Sequence, residues 1–331
     1  MPRFDPHPDR RPAVVTGASS GIGRAVALGL ASVGHPVVLG ARRVDRCQET
    51  AEKIRADGGI ATAVTLDLTD AASVDAFAAT AEAVHGPIEI VVSNAGDVLP
   101  QTTLATPPDD FARQVQVNLL GAQRLVAALV PAMVTRGRGD VVFVTSDVVR
   151  VPRPRMAAYV TSKAGLEAMA RVMQMELEGS GVRVGIVRPG PSATEQGTSW
   201  SDEVVVETVE EWTRWGLLRH PGYLRPRDVA NAIIAVVATP RGTHLTLVEV
   251  EPEAPTARPA SPEAPATARL ASPDATAPAP ATAPAPAIEI APEPTVDPGD
   301  SSAPGPGTAG GDVPSPLPTT DDPTPDPGAT P

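Results

Sequence analysis

Lysine and tyrosine are nearly absent from this sequence. Among 331 residues, Lys occurs only at Lys53 and Lys163, and Tyr only at Tyr159 and Tyr223. Asparagine occurs at Asn94, Asn118 and Asn231 alone. The single cysteine, Cys47, excludes an internal disulfide and points to a reducing, cytoplasmic setting. A basic surface is also missing. The net charge is −12, and no stretch concentrates Lys and Arg as a nucleic-acid surface requires. The apolar run Ala13 to Val15 is far too short for a signal peptide. No stretch reads as long enough to span a membrane, so no membrane partner is expected.

Composition divides the chain. From about Glu251 onward it is Pro, Ala, Thr, Asp and Glu, with no Lys and two Arg, Arg258 and Arg269. More than half of the 39 prolines and most of the net negative charge lie there. Such a segment cannot bury enough apolar surface to offset its ordering entropy. It reads as a disordered, partly polyproline-II tail. Pro314 to Pro318 reads either as a docking motif for an aromatic groove or as part of a solubilising acidic extension. The expected organisation is a flexible lead over 1–10, one folded domain over 11–250, and the tail over 251–331.

Within the domain, short apolar strands alternate with helical spacing. Ala13-Val14-Val15 runs into Thr16-Gly17-Ala18-Ser19-Ser20-Gly21-Ile22-Gly23, and helical spacing follows from Arg24. A glycine-rich turn between a strand and a helix N-terminus holds a pyrophosphate on backbone N–H groups. Gly17 permits the tight turn, Gly21 the close approach of phosphates, and Gly23 close helix packing. The second strand, Pro36 to Ala41, ends at Arg42-Arg43, where such folds read the adenosine ribose. Two arginines offer paired donors to a 2′-phosphate, which predicts NADP(H). Asp45 nearby and a merely solvated Arg pair leave NAD open. Asp67-Leu68, after the third strand, reads as an adenine contact, a cap for the helix from Ala71, or both. The fourth strand ends in Ser93-Asn94-Ala95-Gly96. Asn118 lies in a helical stretch from Phe111 to Met133. Ser146 follows the fifth strand, Val141 to Thr145, and Pro189-Gly190 follow the sixth.

Tyr159-Val160-Thr161-Ser162-Lys163 carries the chemistry. On a helix, Tyr159 and Lys163 stand at i and i+4 on one face. A free Tyr has a pKa of about 10, and an adjacent ammonium favours the phenolate. The expectation is a phenol lowered toward neutrality, able to exchange a proton with an alcohol. A chain that otherwise writes its cations as Arg has used the compact, tunable Lys here.

These motifs, in this order, resemble the short-chain dehydrogenase/reductase family over about Arg11 to Val250. The resemblance implies a single Rossmann-like, doubly wound α/β domain: a parallel sheet flanked by helices. It implies a hydride transfer between NADP(H) and a small-molecule carbonyl or alcohol. Tyr159 would be the general acid or base, Lys163 would lower its pKa and hold the nicotinamide ribose, Ser146 would bind the substrate oxygen, and Asn118 would anchor a relay water. Gly17, Ser19, Ser20, Gly21, Ile22, Gly23, Arg42, Arg43, Asp67, Leu68, Asn94, Ala95, Gly96, Pro189, Gly190 and Thr194 would hold the cofactor. A homodimer or homotetramer through the helices carrying Asn118 and Tyr159 is likewise implied.

The substrate region is expected at 191–225, where all three tryptophans lie: Trp200, Trp212 and Trp215. Helical spacing over Glu207 to Leu218 brings Trp212, Trp215 and Leu218 toward one face. They line an apolar carbonyl site or simply pack the lid onto the body. Arg150, Arg153 and Arg155 crowd the loop before Tyr159, either as a solvated loop or as an attractor for an acidic 3-oxoacyl thioester. A non-catalytic, NADP-sensing regulator on the same fold is the remaining alternative.

Overall fold

The computed structural model describes residues 5–195 and 200–254. The expected disordered tail, with Pro314 to Pro318, lies outside the described residues from 255 onward.

Seven parallel strands form one sheet. They are β1 (Ala13–Thr16), β2 (Val37–Ala41), β3 (Ala61–Thr65), β4 (Ile90–Ser93), β5 (Gly139–Val144), β6 (Val182–Pro189) and β7 (Leu247–Val250). Their order is β3-β2-β1-β4-β5-β6-β7. The helices are α1 (Gly21–Ser32), α2 (Val44–Ala56), α3 (Ala71–His85), α4 (Pro108–Val115), α5 (Gly121–Arg136), α6 (Ala157–Glu176), α7 (Asp202–Arg214) and α8 (Pro226–Ala238). This is the expected doubly wound, Rossmann-like sheet.

The strands read as continuous apolar runs because both faces of the sheet are covered. Successive side chains alternate between faces. Val15, Leu39 and Val142 join Leu30, Ile233 and Val237 on one side. Val14, Val38, Val141 and Phe143 join Phe77, Leu125, Leu129 and Leu166 on the other. The order reverses between β1 and β4, and the crevice beyond the carboxyl ends of these strands is where such sheets take ligands.

Two expectations change. Pro108–Arg136 is one continuous helical run with a mean hydropathy of 1.5 in its apolar window, enough by length and composition to cross a membrane. Polar residues, among them Gln114, Gln116, Asn118 and Arg124, interrupt its apolar run in the sequence. Leu125, Leu129 and Met133 bury it in the core. The domain also extends slightly past Val250. Glu251 takes Arg150 at 3.2 Å, and Pro252 is buried. At the other terminus, His7 of the lead meets Arg183 at 2.9 Å.

Candidate active site

The glycine turn is built as its spacing requires. Gly17 has φ +67° and Gly21 φ +51°, a region that L side chains rarely adopt. A Cβ on Gly17 would lie 2.9 Å from the Ala95 Cα, and one on Gly23 2.4 Å from the Gly17 carbonyl oxygen. The turn is laced to the end of β4. Thr16 Oγ1 accepts from the backbone N–H groups of Asn94 and Ala95, both at 3.0 Å, and Asn94 Nδ2 donates to the Thr16 carbonyl at 3.0 Å. Thr194 packs on Gly21, its Cβ 3.2 Å from where a Cβ would stand. Ile22 tucks its side chain against the core. The first turn of α1 holds no acidic residue, so nothing there opposes an anion at the helix N-terminus.

Arg43, rather than Arg42, faces this turn. Its Nη2 donates to Ser19 Oγ at 3.2 Å and Ser20 Oγ at 3.1 Å. Its Nη1 donates to Glu195 Oε2 at 3.1 Å, and Arg46 Nη1 reaches the same carboxylate at 2.8 and 3.0 Å. A carboxylate thus bridges two guanidiniums beside two hydroxyls, an arrangement suited to a phosphate. Sequence reading missed Arg46 and Glu195. The signal for Arg46 was its place one turn after Arg43. Glu195, 152 residues from Arg43, gave none. Arg42 lies nearer Asp67. Hydrogen bonds from Thr69, at 2.7 and 2.9 Å, hold the Asp67 carboxyl below the usual range, with Arg42 adding to the effect. Asp67 is not the helix cap. Asp70 caps α3, accepting from the Ala72 amide at 3.0 Å. Leu68 is buried beside Gly121. At the end of β6, Pro189 leads to Gly190, whose N–H donates to the Val250 carbonyl at 2.8 Å.

Ser146, Tyr159 and Lys163 converge beyond β5. Ser146 follows the strand directly and opens a tight turn at Asp147–Val149. Tyr159 lies in the first turn of α6, with Lys163 one turn on, and all three side chains are buried. Ser146 lies close enough to the Tyr159 hydroxyl to act on its titration. Lys163 Nζ donates to the Val144 carbonyl at 2.9 Å. A π-helical turn, Gln116–Leu120, joins α4 to α5 and carries Asn118; such turns recur at functional sites. Asn118 Oδ1 accepts from the Asp97 amide at 2.7 Å, and its Nδ2 donates to the Asp97 carbonyl at 2.8 Å and to Ser162 Oγ at 2.9 Å. Gly96 lies between Asn118 and Lys163. A Cβ there would be 3.5 Å from both Asn118 Oδ1 and Lys163 Nζ.

The expected lowering of the phenol is not found. Burial pushes Tyr159 up to about 12. Ser146 and Arg153 draw it down, while Asp147 adds to the rise. Lys163 loses its own hydration, which brings its ammonium down to about 8. Desolvation disfavours the charged form of both groups, so it outweighs their mutual attraction.

The lid helix starts earlier than its spacing suggested, because Ser201 caps it by accepting from the Val204 amide at 3.4 Å. Trp200 and Trp212 pack against Val148, Met156 and Tyr159. Trp215 and Leu218 do not share that face; Trp215 is 67% exposed just past the helix end. The three loop arginines are already paired. Arg150 takes Glu249 and Glu251, Arg153 takes Asp147, and Arg155 takes Glu207 and Glu211 at 2.9 Å each.

Known proteins are similar to this chain. The short chain dehydrogenase family model matches residues 11–204. The glycine betaine reductase ATRR of Emericella nidulans is 37% identical over 241 residues, 72% of this chain but 18% of that much longer protein. The 2,3-dihydro-2,3-dihydroxybenzoate dehydrogenase of Bacillus subtilis is 31% identical over 71% of this chain and 91% of its own length. Among solved structures, an alcohol dehydrogenase from Thermococcus sibiricus complexed with 5-hydroxy-NADP superposes with a TM-score of 0.63 at 30% identity. The likeness covers 73% of this chain and 96% of that one. With its parallel sheet, glycine turn and Ser-Tyr-Lys cluster, the chain belongs to the short-chain dehydrogenase/reductase family of oxidoreductases.

Proposed function

We propose that this protein is an NADP(H)-dependent oxidoreductase acting on a carbonyl or secondary alcohol, with Tyr159 as the proton carrier. The observation that carries this reading is the Tyr159 hydroxyl, buried on Ser146 between Lys163 and the tryptophans of the lid. The bound nicotinamide supplies or accepts the hydride. The residues fit such a group. Gly17, Ser19, Ser20, Gly21, Ile22 and Gly23 form a tight turn into the N-terminus of α1, suited to hold a pyrophosphate on backbone N–H groups. Arg43 and Arg46, with Arg42 near, match a 2′-phosphate, for which the Glu195 carboxylate is the present stand-in. In this reading Asp67 and Leu68 meet the adenine, Asn94 to Gly96 and Lys163 the riboses, and Pro189, Gly190 and Thr194 the nicotinamide end.

Tyr159 is protonated at neutral pH, and burial tightens its hold on the proton. In reduction it can donate that proton as a substrate oxygen gains charge. Ser146 steadies the same oxygen by a hydrogen bond. Lys163 lies beside the phenol on its own helix, Asn118 faces Lys163 across Gly96, and the two form the route by which the proton is replaced. Trp200 and Trp212 beside Tyr159 suit an apolar carbonyl compound.

Assembly as a homodimer or homotetramer belongs to the same proposal. An apolar groove between α5 and α6, lined by Val126, Val130, Val134, Met169 and Met173, supports it. A cytoplasmic location rests on the single cysteine.

The test is NADPH consumption across ketones, aldehydes, quinones, steroids and 3-oxoacyl thioesters, with NADH and Tyr159→Phe as controls. Wild type is expected to turn over one class with NADPH preferred. Tyr159→Phe is expected to lose nearly all turnover while binding NADPH as wild type does. Undiminished turnover in Tyr159→Phe ends the assignment.

A further inference from the structure

The Ser146 hydroxyl has one proton to give. It donates to Asp147 Oδ1 at 3.1 Å while accepting from the Val148 amide at 3.4 Å. Left alone, the buried Asp147 carboxylate would keep that proton from a substrate oxygen. Arg153 counters it. Its Nη1 takes Asp147 Oδ1 at 3.1 Å and its Nη2 takes Oδ2. Only 10% of the Arg153 side chain and 7% of Asp147 are exposed. The guanidinium lies over the Trp212 ring, 5.2 Å from its centroid. The Trp212 indole is fixed in turn on the Pro154 carbonyl at 3.0 Å. A buried ion pair is a poor device for stability alone, since desolvation offsets the attraction. This one touches the reacting groups.

We infer that Arg153 is a positioning residue: by bonding both oxygens of Asp147 it weakens that carboxylate's hold on the Ser146 proton, so that a substrate oxygen can take it, and by stacking on Trp212 it ties that readiness to the seated lid helix. The inference rests on the proposed roles of Ser146 and Tyr159. The pair also acts on the phenol, which Asp147 raises and Arg153 lowers. The charged groups around Tyr159 are Lys163 on its own helix, Asp147 in the turn after β5, and Arg153 in the following loop. From α7, Glu207 and Glu211 are taken up by Arg155.

The chain has two tyrosines, so 13C-tyrosine NMR follows Tyr159 directly, with Tyr159→Phe assigning the signal. Asp147→Asn is expected to lower the Tyr159 titration, and Arg153→Met to move it upward, with Tyr223 unmoved in both. In turnover of the carbonyl compound that wild type reduces fastest, Arg153→Met is expected to lose about tenfold or more in kcat. Its KM for NADPH stays unchanged, and adding Asp147→Asn restores most of the loss. An unmoved Tyr159 titration in folded Asp147→Asn overturns the inference, whatever the activity. If Arg153→Met fails to fold, the double variant decides: kcat within about threefold of wild type upholds positioning, and a loss as deep as that of Tyr159→Phe overturns it. Absence of turnover in every protein, wild type included, strikes at the proposed function and leaves the NMR test of Arg153 intact.

Discussion

The ammonium of Lys163 lies 5.9 Å from the ring centroid of Tyr159 and spends a hydrogen bond on the Val144 carbonyl rather than on the phenol. Both groups are buried, and their proton affinities move in the directions that burial dictates. This gives a stability profile with a worked sign. Lys163 releases its proton at about 8 when folded against 10.5 as a free side chain. Between those values the unfolded chain binds more protons, so stability rises with pH. Tyr159, at about 12 against 10.0, contributes stability that is present below pH 10 and lost toward pH 12. Urea unfolding from pH 7 to 10 is expected to show the rise in wild type and not in Lys163→Met. A flat profile in both proteins removes the claim.

On the proposed reading, Arg43, Arg46 and Glu195 set the choice between NADPH and NADH. Arg43→Ala is expected to raise the KM for NADPH by about 10- to 100-fold, the worth of charge-assisted hydrogen bonds to phosphate. The KM for NADH should hardly change. Glu195→Gln removes a carboxylate that competes for the same guanidiniums, so it is expected to tighten NADPH binding. Equal effects on both cofactors would show that these residues do not read the 2′-phosphate.

Arg11 tests a different part of the molecule, at the amino ends of the strands. It is 2% exposed, donates to the Val237 carbonyl at 3.0 Å, and pairs with Asp140. Arg11→Met leaves Asp140 with Arg183 alone, at 2.7 Å. Breaking one side of such a buried pair is expected to cost about 3 kcal/mol, seen as a lower urea midpoint. Activity measured at low temperature should persist, because the site lies at the opposite end of the sheet.

Val134 lines the α5–α6 groove and is partly exposed. Val134→Arg places a charge there at small cost to the lone chain. Sedimentation equilibrium is expected to show a halved mass with the fold retained. An unchanged mass would move the interface elsewhere.

Much of this was legible in local sequence. Ala13 to Val15, Pro36 to Ala41 and Val141 to Thr145 read as strands because parallel strands buried on both faces need unbroken apolar runs. Gly17, Gly21 and Gly23 read as a phosphate turn because backbone conformation and close approach leave little alternative to glycine there. Tyr159 and Lys163 share a helix face by spacing alone.

What the sequence by itself determined was thus most of the strands and helices and the chemical types gathered at the strand ends. The tertiary structure decided the rest. It chose Arg43 over Arg42, since only the path of the chain after β2 brings one of them to Ser19 and Ser20. It turned Asn118 inward through a π-helical turn that no periodicity announces. It seated Trp212 on Arg153 and left Trp215 in solvent. Above all it reversed the expected shift of Tyr159. Attraction by a neighbouring lysine can be read from spacing, but loss of water depends on every element packed around the phenol, and here the loss of water prevails.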